Sequence, residues 1–208
     1  MAGNDHAICD VQALEAAIGE PMEMVRAKLR TSLNAAMAEF IRRSPLVFLS
    51  TIDEHGLADV SPKGDPAGFV TVDDAGNLLI PERPGNRLTF GFHNILRNGA
   101  IGLLFVVPGQ RETLRVKGLA SLHADPDVLA GMAVSGKPAL LYTHVEVREC
   151  FFHCGKALIR SGLWRPDSWD GDTGSIAARG FAGDGLIEGA SLAQTEAALD
   201  RAYTDELY

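Results

Sequence analysis

Short apolar runs separated by turn residues fill the middle of the chain. Residues 46–52 are mostly apolar, residues 57–63 alternate between apolar and polar positions, and an Asp-Glu-His-Gly turn at 53–56 joins the two runs. Residues 68–72 and 77–80 repeat this arrangement around a second turn. Because each pair of runs is joined by a tight turn, the pattern predicts two antiparallel hairpins.

Three longer runs follow the hairpins. Residues 101–107 are apolar throughout, which predicts a strand that is buried on both faces. Residues 112–123 and 140–147 are predicted to be further strands. Six or more short antiparallel strands with few helices favour a small barrel over a doubly wound sheet. The glycine-rich fingerprints of the doubly wound and P-loop nucleotide-binding folds do not occur in the sequence.

Helices are predicted towards both ends of the chain and between some of the strands. Pro21 suits a first helical turn, and Ser44 ends that helix because the residue before a proline avoids the helical region. Residues 1–19 are weakly amphipathic, and residues 165–190, rich in Gly and Asp, are predicted to form an extended loop. The predicted helices are 20–43, 86–98, a short one after Asp125, 150–163 and 191–207.

Composition and charge narrow the classes of function. The chain has 208 residues, 46% of them apolar and 22% charged, which suits one globular domain with a substantial core. Its net charge of −8 argues against nucleic-acid binding. No apolar run reaches the roughly 20 residues of a membrane span and no export signal is recognisable, so a cytoplasmic protein without membrane contact is expected. Three cysteines cannot all pair, which predicts a reduced protein without disulfides.

Two segments place a cation close to a glycine. Lys63 lies at the end of a predicted strand and Arg87 at the start of a predicted helix. Together they could hold a phosphate, since cations give charge-assisted hydrogen bonds and a helix start supplies backbone N–H groups. The alternative for both residues is an ordinary surface charge. Arg83 has an alternative of its own, an ion pair with Glu82 or Asp65.

Cysteine and histidine residues around position 150 raise the question of a metal. Cys150 and Cys154 are four residues apart on a predicted helix, with His153 beside the second and His144 one strand earlier. Structural zinc sites use four ligands at tighter, recurrent spacings, so no metal site is predicted. The alternatives are a buried cysteine that packs as a small apolar group and a ligand-binding role for His153 and Cys154.

Four motifs occur in a fixed order in the central part of the chain. They are Ser-Pro-Lys-Gly-Asp at 61–65, Arg-Pro-Gly-Asn-Arg at 83–87, Gly-Leu-Leu-Phe at 102–105 and Thr-Leu-Arg-Val-Lys-Gly at 113–118. With these motifs, residues 46–122 resemble the pyridoxamine 5′-phosphate oxidase-like flavin-binding split-barrel proteins, in particular a bacterial FMN-binding branch of them.

The resemblance implies a fold and an assembly. The fold is α+β and mainly β, an antiparallel six-stranded split β-barrel of the FMN-binding type with flanking helices. The barrel domain would cover residues 21–165, with residues 1–20 as an N-terminal arm and residues 166–208 as a C-terminal loop and helix packed on the same domain. The resemblance also implies a homodimer with two FMN molecules held at the subunit interface.

Carried over position by position, the resemblance assigns residues to FMN. Lys63 and Arg87 would bind the phosphate, where Asn86 replaces an arginine of the family's oxidases and removes one charge. Thr113 and the pair 153–154 would reach the flavin held by the partner chain. The complete set of cofactor-binding candidates is Val60, Ser61, Pro62, Lys63, Gly64, Ile80, Pro81, Arg83, Asn86, Arg87, Thr113, His153, Cys154 and Lys156.

These assignments favour an FMN-dependent oxidoreductase that acts on an unknown small molecule. The C-terminal Arg-x-His segment with which the family's oxidases bind substrate is not recognisable, which argues against pyridoxamine phosphate as the substrate. A flavin-binding or flavin-sequestering protein without turnover is an alternative, as is a barrel that holds a deazaflavin or haem. Catalytic residues stay unassigned, because the sequence shows neither paired carboxylates nor a Ser/His/Asp set.

Overall fold

Seven strands form one antiparallel sheet in the structure, a computed structural model that describes residues 6–169, 171, 174–186 and 189–205. The strands are β1 (Leu46–Ile52), β2 (Ala58–Gly64), β3 (Thr71–Val72), β4 (Leu78–Glu82), β5 (Ala100–Val106), β6 (Thr113–His123) and β7 (Leu141–His153). Their order in the sheet is β2-β1-β5-β6-β7-β4-β3. The described helices are α1 (Val11–Ile18), α2 (Glu23–Arg26), α3 (Ala35–Arg43), α4 (Phe90–Asn98), α5 (Pro126–Gly131), α6 (Lys156–Ser161), α7 (Ile176–Gly183) and α8 (Leu192–Asp205), with a 3₁₀ turn at Pro166–Ser168.

The sheet is open, yet its two ends lie close together. In the described part of the chain β2 pairs only with β1, at one end of the sheet, whereas β4 lies near the other end. The Lys63 ammonium of β2 nevertheless lies 2.6 Å from the Glu82 carboxylate of β4. Just beyond the two strands, Arg83 lies 2.7 Å from Asp65. The sheet therefore curls on itself, and side chains rather than backbone pairs join its ends.

This arrangement confirms part of the expected fold and corrects the rest. The protein is mainly β, its sheet is antiparallel, and helices flank it, as the sequence predicted. The six-stranded barrel is wrong: seven strands form an open sheet, because residues 71–72 add a short strand outside β4 and no backbone ladder joins β2 to β4 among the described strands.

The core lies on the inner face of the curled sheet. Along β1, Val47 and Leu49 are buried and alternate with more exposed neighbours, as expected for a strand with one face on the core. Helix α3 adds Met37 and Ile41 to the same cluster. Ser44, the residue after α3, donates its hydroxyl to the carbonyl oxygen of Leu46 at 2.7 Å. This bond fixes α3 against the start of β1.

Helix α4 packs against β1, β2, β5 and β6, and a buried hydrogen bond from Asn94 Nδ2 to Thr51 Oγ1 (3.0 Å) ties it to β1. The prediction that this helix begins at residue 86 is wrong, since it begins at Phe90. The cause is the backbone of the preceding loop. Arg87 has a φ of 59° and Thr89 a φ of 55°, and such left-handed residues cannot continue a right-handed helix.

The predicted helix 20–43 is interrupted. Arg30 forms backbone hydrogen bonds in both directions with Cys150 of β7, at 3.1 and 2.8 Å, so its N–H and C=O are not free for a helix. Helix α3 begins only after Asn34, whose side chain accepts a hydrogen bond from the N–H of Met37 at 2.9 Å. The predicted end of the helix before Pro45 is confirmed, because α3 stops at residue 43.

The predicted helix 150–163 is wrong over residues 150–155 and 162–163, which are not helical. Strand β7 continues to His153, because β6 offers a partner to each residue from Glu149 to His153, the last of them opposite Thr113. Helix is found only from Lys156 to Ser161. The C-terminal end of β7 therefore places Phe151 and His153 beside the start of β6 rather than on a helix.

The C-terminal part contains more helix than predicted. Helix α7 lies inside the predicted loop 165–190, and Ser175 caps it by accepting a hydrogen bond from the N–H of Ala178 at 3.0 Å. Helix α8 packs against α7. Residues 170, 172–173 and 187–188 of the predicted loop and 206–207 of the predicted last helix lie outside the described residues. None of the helices within the described ranges combines the length and apolar character needed to cross a membrane.

Candidate functional site

Strand β2 presents side chains to two different cavities. Asp59, Ser61 and Lys63 line a cavity of about 350 Å³. Val60 lines a wider cavity of about 1000 Å³. Because side chains alternate along a strand, this one edge strand contributes to both.

The smaller cavity is named the cation pocket. It is defined by Ser61, Lys63, Arg83, Asn86, Arg87 and the start of α4. The larger cavity is named the apolar groove. It is defined by Phe48, Ile52, Val60, Leu104, Thr113, Arg115, His153, Cys154 and Leu158.

Lys63 is held on the wall of the cation pocket by an internal partner. Its ammonium lies 2.6 Å from Glu82 Oε2 and 4.9 Å from the centroid of the Phe92 ring. Glu82 is almost completely buried and also accepts a hydrogen bond from Thr143 Oγ1 at 2.9 Å. Burial raises the pKa of Glu82, and the charge of Lys63 opposes that rise. The cation is thus fixed in place, but a carboxylate already balances its charge.

Arg83 also has an acidic partner. The sequence offered Glu82 or Asp65 for this ion pair, and the structure has Asp65. The Nε of Arg83 lies 2.7 Å from Asp65 Oδ2, and its Nη2 donates to the Met132 carbonyl oxygen at 2.8 Å. Among the described residues, its third nitrogen, Nη1, is buried without a hydrogen-bond partner, and so is Asp65 Oδ1. A buried donor without a partner is costly, so this nitrogen is a point of stored strain next to the pocket.

Arg87 differs from the other two cations. It is exposed, and within the described ranges no ion pair involves it. The loop that carries it has two residues with positive φ, Arg87 and Thr89, and such strained backbone outside glycine is concentrated at functional sites. The side chain of Asn86 accepts a hydrogen bond from the N–H of Leu88 at 3.1 Å, which helps to set this conformation.

The residues of the cation pocket fit a phosphate group. Besides Arg87, which has no ion pair within the described ranges, the pocket is bordered by the first turn of α4, where Thr89 provides no side-chain cap. The N–H groups of an uncapped helix start are natural donors to an anion. Asp59 also lines the pocket and carries the opposite charge, so the balance of charge there depends on the arginines.

The apolar groove lies on the other side of the sheet. The expectation that residues 101–107 are buried on both faces is wrong: Leu103 and Phe105 are buried, whereas Gly102 and Leu104 are half-buried and line the groove. One face of residues 101–107 therefore packs on the core, and the other face lines the groove.

Three of the predicted flavin contacts meet at one end of the groove. Thr113 and His153 lie opposite each other on β6 and β7, and Cys154 follows directly. Partial burial lowers the pKa of His153, and the positive charges of Arg115 and Lys28 lower it further. His153 is therefore neutral near neutral pH, with two cations in its surroundings.

The remaining candidates fall into three groups. Ile80 is fully buried in the core, so its side chain cannot contact a cofactor. Pro62, Gly64 and Pro81 line a third cavity of about 430 Å³ that adjoins the cation pocket through Lys63 and Arg83. Lys156 begins α6 and is exposed. Lys156 lines neither the cation pocket nor the apolar groove.

Sequence reasoning missed two residues that hold Lys63 in place. Glu82 holds Lys63, and its signal was a carboxylate directly after the apolar residues 78–80 of a strand. Phe92 lies under the same ammonium, and no sequence pattern connects it with residue 63. Among the described residues, no three His, Cys, Asp or Glu side chains are grouped as a metal site.

Comparison with known proteins identifies the family. A family model described as pyridoxamine 5′-phosphate oxidase matches residues 33–154, more than half of the chain. The chain belongs to the pyridoxamine 5′-phosphate oxidase family, whose members bind flavins. The resemblance drawn from the four motifs is thereby confirmed. No curated protein matches the chain.

Solved structures with similarity to the chain include three from bacteria. A putative pyridoxamine 5′-phosphate oxidase from Lactobacillus delbrueckii is 25% identical, with 58% of this chain and 93% of that chain covered and a TM-score of 0.46. HupZ from Group A Streptococcus is 18% identical, with the same coverage and TM-score. An FAD-binding protein from Mesorhizobium loti is 15% identical, with 60% and 98% covered and a TM-score of 0.39.

Proposed function

We propose that the chain binds FMN, with the phosphate in the cation pocket, and that it is an FMN-dependent oxidoreductase for a small molecule. The observation that carries this proposal is the donor set of the pocket, in a family that binds flavins. Arg87 is exposed, lines the pocket and has no ion pair among the described residues, so it gains an acceptor when a phosphate enters. The uncapped start of α4 adds backbone N–H donors.

The residues of the pocket have distinct roles in this proposal. Arg87 supplies the charge that the phosphate meets, since Lys63 is already balanced by Glu82 and Arg83 by Asp65. Lys63 adds a positioned donor, which Glu82 and the Phe92 ring hold in place. Since β2 pairs only with β1 among the described strands, one edge of residues 60–64 keeps unpaired backbone groups that can contact a flavin ring. The flavin itself would supply hydride and electron transfer.

The second part of the proposal is a homodimer whose interface completes the site. In one chain Lys63 and Arg87 lie on the cation pocket, whereas Thr113 and His153 lie on the apolar groove, and no residue that the structure describes lines both cavities. The groove also exposes apolar side chains, with Val60 61% exposed, a surface that a partner normally covers. A second copy could bring its groove to the flavin held by the first chain.

FMN is expected to bind more tightly than riboflavin, and the loaded protein should be yellow. The two ligands share the ring, so the difference between their affinities reports the phosphate alone. Calorimetric titration of the purified chain with each ligand measures it. Equal affinities would contradict a phosphate in the cation pocket.

The same sample separates the proposal from its alternatives. A flavin has its own absorption spectrum, which distinguishes it from a deazaflavin or a haem. Oxidation of NADH or NADPH by the FMN-loaded protein with repeated turnover would support an oxidoreductase. Binding without any turnover would leave a flavin-binding protein as the function.

FMN should also stabilise the dimer. A ligand that binds only to a site made by two chains shifts the monomer–dimer equilibrium towards the dimer by mass action. Sedimentation at low protein concentration, with and without FMN, measures this shift. A monomer that binds FMN with undiminished affinity would rule out the shared site while leaving the phosphate pocket intact.

A further inference from the structure

Beside one end of the apolar groove, two cations lie close to one aromatic ring. The ammonium of Lys28 and the guanidinium carbon of Arg115 each lie 5.3 Å from the centroid of the Phe151 ring. The ring of His153 lies 6.5 Å from the same ring. Since both distances are measured to the same centroid, the two cations are at most twice 5.3 Å apart. They lie next to the end of β7.

The fold sets up this cluster from three separate segments. Arg115 lies on β6 two residues after Thr113, so both side chains face the groove. Phe151 lies opposite Arg115 in the β6–β7 register. Lys28 is brought alongside by the backbone bridge between Arg30 and Cys150.

The positive charge of the cluster is not neutralised within the described residues. Neither Lys28 nor Arg115 takes part in an ion pair there, whereas the neighbouring Lys117 is paired with Glu149 at 2.7 Å. A contact with an aromatic ring orients a cation but does not cancel its charge. Partial burial lowers the pKa of His153, and the charges of Arg115 and Lys28 act in the same direction, as expected where no acidic group balances them. The chain as a whole has a net charge of −8, so this local excess of positive charge is opposite in sign to the charge of the whole chain.

We propose that this end of the groove binds the anionic group, a carboxylate or a phosphate, of a small molecule with an apolar body. The body would lie against Phe48, Ile52, Leu104 and Leu158. The anionic group would lie at Arg115 and His153, which both line the groove, and Lys28 would add its charge from beside the Phe151 ring. A volume of about 1000 Å³ lies at the upper end of the range for small-molecule sites. Assigning this molecule as the substrate rests on the proposed flavin function, whereas the anion site does not.

The test uses three probes that share a ring and differ in charge: benzoate, phenyl phosphate and benzyl alcohol. His153 serves as the reporter, and its ring proton signals are followed by NMR in the full chain with FMN added. A bound anion stabilises the imidazolium, so saturating benzoate or phenyl phosphate should raise the pKa of His153. Benzyl alcohol should not. The comparison of benzoate with phenyl phosphate decides which anionic group the site prefers.

Two variants and one control locate the site. Arg115→Ala should weaken the preferred anion roughly tenfold or more, the scale of a lost charge-assisted hydrogen bond, and Lys28→Ala should weaken it less. Arg148→Ala removes an exposed arginine of β7 that is paired with Glu146, and it should leave the affinity unchanged. A histidine signal that moves equally with benzyl alcohol, or anion affinity that survives Arg115→Ala, would overturn the proposal.

The outcome can be separated from that of the proposed function. The absorbance of the same sample reports whether FMN is bound, independently of the histidine signals. A chain that fails to bind FMN but binds benzoate through Arg115 refutes the flavin proposal and supports the anion site. A chain that binds FMN but shows no saturable response to either anion refutes the anion site alone.

Discussion

Arg83→Ala is expected to lower the free energy of unfolding by about 3–5 kcal/mol, the cost of removing one partner from a buried ion pair. The side chains of Arg83 and Asp65 are 12% and 1% exposed, so the variant leaves the carboxylate of Asp65 buried without its counter-charge. It also removes the hydrogen bond from Arg83 Nη2 to the Met132 carbonyl. In a chain of this size the loss corresponds to a fall of roughly 6–20 °C in Tm.

Unfolding in denaturant, without FMN, measures this change, because a ligand bound only to the folded state would otherwise add its own contribution. Arg43→Ala is the matched control, since Arg43 is paired with Glu39 on an exposed helix face and should contribute no more than about 1 kcal/mol. A double variant with Asp65→Leu and Arg83→Met should recover most of the stability, because two apolar groups replace the charges. If Arg83→Ala costs no more than the control, this ion pair does not hold the two ends of the sheet together.

This ion pair also shows what local sequence patterns can and cannot predict. The hairpins, the long strand from residue 113 and the helix after Asp125 follow from alternation, turn residues and caps, all of which act within about ten residues. The contacts that join β2 to β4 connect residues 18 or 19 positions apart that lie near opposite ends of the sheet. The local sequence pattern gives candidate residues for such contacts. Which residues contact each other is determined by how the sheet curls.

The same distinction explains the outcome at the site. Lys63, Arg83 and Arg87 were found from the sequence because each is a cation close to a glycine, and the structure places all three on one pocket. Asp65 was one of two partners considered for Arg83, but no partner was assigned to Lys63, so the sequence overstated the free charge available to a phosphate. The helix expected at residue 86 was placed too early, because no local pattern reveals a left-handed Arg87.

The apolar run at residues 101–107 illustrates a related limit. A continuous apolar run predicts burial on both faces. The pattern does not say whether a face is covered by the protein's own core or by a bound molecule. Here one face is covered by the core and the other lines the groove. A run that is apolar on both faces yet half-exposed on one is therefore also a pattern typical of a binding surface.

Arg87→Ala should weaken FMN binding by about 1.5–3 kcal/mol, which is roughly ten- to more than hundredfold in Kd. The reason is that Arg87 is the cation of the pocket without an acidic partner among the described residues, so its charge is not shared with the protein. The fold should be retained, since the side chain is exposed and its removal leaves no buried group behind. Alanine is preferred to glycine here, because it keeps the Cβ atom at a φ of 59° and so leaves the backbone strain unchanged.

Calorimetric titrations of the wild type and the variant with FMN and with riboflavin form a cycle that isolates the phosphate. Arg87→Ala should reduce the affinity for FMN and leave that for riboflavin unchanged, because riboflavin has no phosphate for the arginine to contact. Arg97→Ala is the control, as it removes an exposed arginine at the other end of α4 that is paired with Glu54 at 3.4 Å. Equal losses for both ligands would place Arg87 at the ring or in the fold of the loop. No loss for either would leave Lys63 and the start of α4 as the phosphate donors.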